Sequence, residues 1–168
     1  MSMPNDQTTA FTVDQRVVYP SQGVGRIMEI REKTFNNQKT LYYIIYLEFS
    51  DMTVMVPVDK VDVLGIRPLV SQEEAAKALD YISTAASTIP SDWKLRYQMN
   101  LDLLKKGSIM DIAAVVRSLY QRSKIKELPI LERKLYESAL NLLQDEIAYA
   151  LNRPKEEIAK IIRANLDK

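Results

Sequence analysis

The sequence predicts an α+β protein, a small SH3-like β module followed by a compact domain of five helices. Three observations predict it. From about Phe11 to Val70 apolar residues recur with period two among many β-branched and aromatic side chains. After Pro68 the period changes to 3.6. Gly, Pro and Asn punctuate the first segment between short runs and the second at the ends of long ones. With 168 residues, 46% of them hydrophobic, the chain can fill one core or two small ones.

Met1 to Ala10 is polar, lacks the basic-then-apolar pattern of a signal peptide, and reads as a disordered lead. Arg16–Tyr19 is a short strand stopped by Pro20, with Gly23 and Gly25 permitting the turn that follows. Val24–Phe35 and Lys39–Phe49 form a hairpin about Asn36-Asn37, because Asn tolerates positive φ. In the return strand Leu41, Tyr43, Ile45 and Leu47 share one face, and Thr40, Tyr42, Ile44 and Tyr46 the other. Ser50-Asp51 turns the chain into Met52–Val56, and Val61–Ile66 is expected as a last strand. So many short strands in one small unit make a strongly bent sheet or barrel.

Ser71 and Glu74 form a capping box that opens a helix to about Ala86. Ser91 or Asp92 caps the next, which Gly107 stops near Lys105. Ser108 with Asp111 starts a third to about Arg122, Pro129 a fourth to about Leu151, and Pro154 a fifth. The expected organisation is therefore a lead over 1–10, a β module over 11–70 and a helical domain over 71–168.

Composition removes most enzyme mechanisms. There is no cysteine and no histidine, which excludes disulfides, thiol nucleophiles, Ser-His-Asp catalysis and His- or Cys-ligated metals. No catalytic residue, metal or other cofactor is expected, and no small-molecule substrate. The longest apolar run, Leu41 to Leu47, is far short of the roughly 20 residues that cross a bilayer. A cytoplasmic protein with no membrane partner is the simplest expectation.

The formal net charge of +1 conceals a local excess. Residues 94–134 hold 10 basic and 4 acidic side chains, whereas the rest of the chain is slightly acidic. Such a segment can track phosphates or can be an ordinary solvated face. The single tryptophan, Trp93, opens it, followed by Lys94 and Arg96. A Trp at a helix start anchors the incoming loop, or it presents a ring that wedges between bases. Tyr42, Tyr43 and Tyr46 suit a stacking platform or, as in any strand, a core. Asp145-Glu146 and Glu156-Glu157 read as solvated or dipole-compensating pairs.

Three blocks occur in order and spacing: Val17-Val18-Tyr19-Pro20-Ser21-Gln22-Gly23-Val24-Gly25, Met52-Thr53-Val54-Met55-Val56-Pro57, and Ser91-Asp92-Trp93-Lys94-Leu95-Arg96-Tyr97-Gln98-Met99-Asn100. Together they resemble the CarD/CdnL family of bacterial transcription regulators over roughly residues 11–150. The first two also resemble the polymerase-interacting module of transcription-repair coupling factors. The resemblance implies a Tudor-like module that binds the RNA polymerase β subunit edge to edge. It implies a helical domain that reaches promoter DNA at the upstream edge of the bubble. Trp93 then matches the minor-groove wedge, Lys94 and Arg96 the basic residues beside it, and Lys33 a polymerase contact. Met55 stands where some members place a polymerase-contacting arginine, and Gln98 where some place a DNA-contacting lysine. The alternative expectation is an adaptor of the transcription or repair machinery that touches no DNA and keeps Trp93 buried.

Overall fold

A computed structural model describes residues 9–86 and 88–168; residues 1–8 of the expected lead lie outside the described residues. The β module consists of β1 (Arg16–Tyr19), β2 (Gly23–Phe35), β3 (Gln38–Leu47), β4 (Met52–Pro57) and β5 (Arg67–Pro68). They form one antiparallel sheet in the order β4-β3-β2-β1-β5. Asn36 and Asn37 both take positive φ, 50° and 62°, so Phe35 pairs directly with Gln38 across a two-residue turn. The β2–β3 register shifts between Ile27 and Glu29, an extra residue that bends the long strand over the core. Val17, Ile27, Tyr43, Ile45, Leu47 and Val56 fill that core with Phe11, Val61 and Ile66. Tyr43 is inside, its hydroxyl accepting the Phe11 N–H at 3.1 Å, whereas Tyr42 and Tyr46 lie half-buried on the opposite face.

The expected strand Val61–Ile66 is not one. Val58–Lys60 forms a 3-10 turn and Val61–Leu64 the single-turn helix α1, closed by Gly65 at φ +75°. A strand would have buried Val61 and Val63 together, but the core takes Val61 and Ile66 and leaves Val63 exposed. The last strand follows as Arg67–Pro68, paired with β1.

The helical domain comprises α2 (Gln72–Ile82), α3 (Trp93–Lys106), α4 (Ile109–Ile125), α5 (Ile130–Leu151) and α6 (Lys155–Leu166). The Ser71–Glu74 capping box is complete. α2 stops at Ile82, short of Ala86, as the hydroxyls of Ser83 and Thr84 bond back to the carbonyls of Asp80 and Tyr81. Asp92 caps α3 and Ser108 caps α4, while Gly107 and Asn152, both left-handed, close α3 and α5. The core is built on Val115, Val116 and Leu119 of α4, packed with Ile82 of α2, Leu143 and Ile147 of α5, and Ile158 and Ile162 of α6. Among the described residues no helix is long and apolar enough to cross a membrane.

At the end of α6 the Tyr120 hydroxyl donates to the Asp167 carboxylate. That bond, aided by Arg163, holds Asp167 below the usual carboxylate range. A carboxylate depressed in the folded state stabilises above its unfolded pKa and loses that contribution as pH falls through its folded pKa. Tyr120→Phe is expected to return the Asp167 titration toward its ordinary position, measured by carboxyl NMR. An unmoved titration would assign the depression to Arg163 instead.

Candidate functional site

The site is set by a stripe on α5. Glu132, Leu135, Ala139, Leu143 and Glu146 are spaced by three and four residues, share one helix face, and are all buried. An apolar stripe that ends in a carboxylate at each end needs a cation at each end, and the structure supplies two arginines. Glu132, 0% exposed, receives the Arg96 guanidinium at 2.7 and 2.5 Å. Arg96 is itself only 3% exposed and donates from Nη1 to the carbonyls of Pro90 and Ser91. Glu146, 1% exposed, receives Arg67 at 2.6 and 2.7 Å and the Val70 N–H at 3.1 Å. Arg67 also donates twice to the carbonyl of Gly107, at 3.0 and 2.9 Å.

Arg96 lies in the first turn of α3 and Gly107 closes that helix. Because Glu132 begins α5 and Glu146 lies well along it, α3 and α5 run side by side in the same direction. Both N-termini meet at one end of the domain, each carrying roughly half a positive charge from its peptide dipoles. Trp93 is the first residue of α3 at this end, 37% exposed, with Lys94 and Leu95 exposed beside it. The first two turns of α5 add exposed Ile130, Leu131 and Lys134, and the preceding loop adds exposed Lys126. The result is an apolar centre with a rim of lysines, interrupted by exposed Asp92 and by Glu127, which pairs with Arg133.

Trp93 and Lys94 are thus together on the surface, but Arg96 corrects the sequence expectation. Its guanidinium is consumed by Glu132 and the Pro90–Ser91 carbonyls, so it braces the Trp93 loop from beneath and does not face solvent. Glu146 is a second correction, because it is a buried ion-pair partner and not a solvated carboxylate. The basic segment is also divided. Lys105 and Lys106 lie at the opposite end of α3, and Arg117 stacks 3.9 Å over the Tyr81 ring while bonding Thr84. Sequence reasoning missed Glu132 and Arg67 and misread Glu146; the signal for the two carboxylates was their position in the apolar stripe.

In the β module Lys33 pairs with Thr40, and Met55 pairs with Ile44. Thr40 and Ile44 share a face of β3, so Lys33 and Met55 lie on the same outer face of the sheet, both exposed. β4 is an edge strand. Its six residues, Met52–Pro57, carry no charge, and only Pro57 blunts the row of backbone groups it presents. An uncharged edge of this kind is suited to pairing with a strand of another chain.

Comparison with known proteins follows the same division. Residues 11–70 match the CarD-like/TRCF RID domain, and residues 77–163 match the CarD C-terminal domain. The candidate transcription factor YdeB of Bacillus subtilis (strain 168) is 35% identical over 137 residues, spanning 82% of this chain and 90% of that protein. Two adjoining matches, divided where the sheet gives way to the helices, with a relative that runs through both, leave one assignment: the chain belongs to the CarD family of transcription regulators.

Proposed function

We propose that the β module docks on the RNA polymerase β subunit through the free edge of β4, and that Trp93 wedges into the minor groove of promoter DNA at the upstream edge of the bubble. The observation that carries this reading is the half-exposed Trp93 ring, held at the end where two helix N-termini and a rim of lysines converge. A wedge has to be stiff, since unstacking a base step costs a few kcal/mol that a mobile ring would not offset. The Arg96 brace supplies that stiffness. Lys94 and Lys126 face the backbone beside the ring, and the docked β module raises the local concentration of the wedge at the promoter.

The effect on transcription follows from differential binding. A ring that fits only an unstacked step binds the open complex and not the closed one, and shifts the equilibrium by that difference. A preference of about 1.4 kcal/mol is a tenfold shift. The test is the lifetime of open promoter complexes with no factor, wild type and Trp93→Ala. Wild type is expected to lengthen the lifetime about tenfold, and the variant to return it to within about twofold of the factor-free value. Equal lifetimes for wild type and variant would reduce Trp93 to a packing residue.

One observation favours the adaptor reading. Leu95 and Met99, both exposed, are four residues apart on α3 and form an apolar strip suited to a protein partner. Under that reading forked DNA leaves the Trp93 fluorescence unchanged. Under the wedge reading it quenches the fluorescence, and rising salt relieves the quenching.

A further inference from the structure

A wedge carried on one domain while another domain grips polymerase is useful only if the distance and angle between them are fixed. β5 ends at Pro68 and α2 begins at Gln72, so the covalent link is short, but a short link still permits rotation. What opposes rotation is a set of close contacts made by the first sequence block. A Cβ placed on Gly107 would lie 3.1 Å from the Pro20 ring, and one placed on Gly23 would lie 3.3 Å from Leu142. Pro20 is therefore seated against the cap of α3, and the Gly23 turn against α5. Arg16 adds its guanidinium 4.1 Å over the Tyr149 ring of α5.

Arg67 is at the centre of this interface. It belongs to the β module, yet among the described residues every polar partner of its side chain outside its own strand belongs to the helical domain: the buried carboxylate of Glu146 and the carbonyl of Gly107. Gly107 closes the helix that Trp93 opens. α3 is 14 residues long, a lever of about 21 Å at 1.5 Å per residue. A swing of only about 10° at its Gly107 end would move the Trp93 end by about 4 Å. That exceeds the 3.4 Å rise between base pairs, so the ring would miss its step.

We infer that Arg67 is a positioning residue, fixing the Trp93 helix against the polymerase-docking module so that docking aims the wedge. The inference rests on the wedge reading proposed above. It explains why a guanidinium is used: five donors in a planar fork reach a carboxylate and a carbonyl at once, which an ammonium cannot do.

The experiment uses the full chain. Because the protein has no native cysteine, spin labels at Asp62→Cys in α1 and Lys160→Cys in α6 report the distance between the domains without background. Arg67→Lys keeps the charge and loses the fork. It is expected to broaden the distance distribution at least about twofold and to leave polymerase affinity within about twofold. At saturating protein, well below its melting temperature, it is expected to remove most of the gain in open-complex lifetime. Far-UV circular dichroism and the melting transition of Arg67→Lys are expected to keep the wild-type helical signal at the assay temperature, whereas a general loss of structure would remove it. Glu146→Gln, isosteric and neutral, serves as the second variant and is expected to give the same pattern. A distribution as narrow as that of wild type, or a full lifetime gain despite a broad one, would overturn the inference. If wild type itself gives no gain, the wedge reading fails and the aiming role fails with it. The distances then still decide whether Arg67 holds the domains together.

Discussion

Arg96→Ala is expected to destabilise the helical domain by about 3–5 kcal/mol, because it leaves the Glu132 carboxylate buried without a counter-charge. For a chain of this size that is a fall in melting temperature of about 6–20 °C. The magnitude follows from the burial of both partners, 3% and 0% exposed, and from geometry. Two charge-assisted bonds engage Glu132, and the third nitrogen of the guanidinium reaches the carbonyls of Pro90 and Ser91. An exposed ion pair such as Arg133–Glu127 would contribute under about 1 kcal/mol. The rescue is as informative as the loss. Arg96→Met combined with Glu132→Leu removes both charges, and such exchanges are often neutral or stabilising. Chemical denaturation of the single and double variants checks this. A loss below about 1 kcal/mol for Arg96→Ala would mean that the guanidinium faces solvent. A phosphate-contacting arginine would behave differently, reducing the salt slope of DNA binding by about one without touching stability.

That contrast also marks what could be read from the sequence. Signals carried by a residue's own backbone preferences were legible: the Asn36-Asn37 turn, the Ser71–Glu74 box, and the Gly107 and Pro154 boundaries all act locally. The change from strands to helices near residue 70 was legible because a change of period needs no knowledge of partners. Whether Trp93 anchors the loop or presents its ring beside Lys94 stayed open in the sequence, because that depends on what packs against the helix start. Nor was the role of Arg96 legible. One position on α3 decides whether a guanidinium faces water or a carboxylate 36 residues away, and local charge counting treats the two alike. Val61–Ile66 was misread because a short run of β-branched residues fits a strand or a turn equally well until the core selects which of them to bury. Glu132 and Glu146 were hidden by their chemistry, although the spacing of the apolar stripe included them both.

Gly25→Val is expected to cost about 3 kcal/mol, at the upper end for overpacking, although Val is favoured over Gly in strands by up to about 1 kcal/mol. The reason is space and not backbone freedom. A Cβ at Gly25 would lie 2.8 Å from Ile45 Cγ2 and 3.1 Å from both Leu47 Cδ2 and the Tyr46 carbonyl oxygen. Ile45 and Leu47 are wholly buried and cannot swing aside without displacing Tyr43 and Val56, which share their core. In an Ile45→Ala background the nearest obstruction is gone, and the cost of Gly25→Val is expected to fall by at least half, measured as urea midpoints of the four proteins. An undiminished cost would place the conflict in the backbone instead. The consequence reaches the proposed docking edge, since Ile45 pairs with Val54 and Leu47 with Met52. Forcing those two side chains aside tilts β3, and β4, held to the sheet only by β3, tilts with it. Polymerase affinity should therefore fall with Gly25→Val, and the further fall caused by Gly25→Val should be smaller when it is introduced into the Ile45→Ala protein. Trp93, the sole tryptophan, should meanwhile report an intact helical domain.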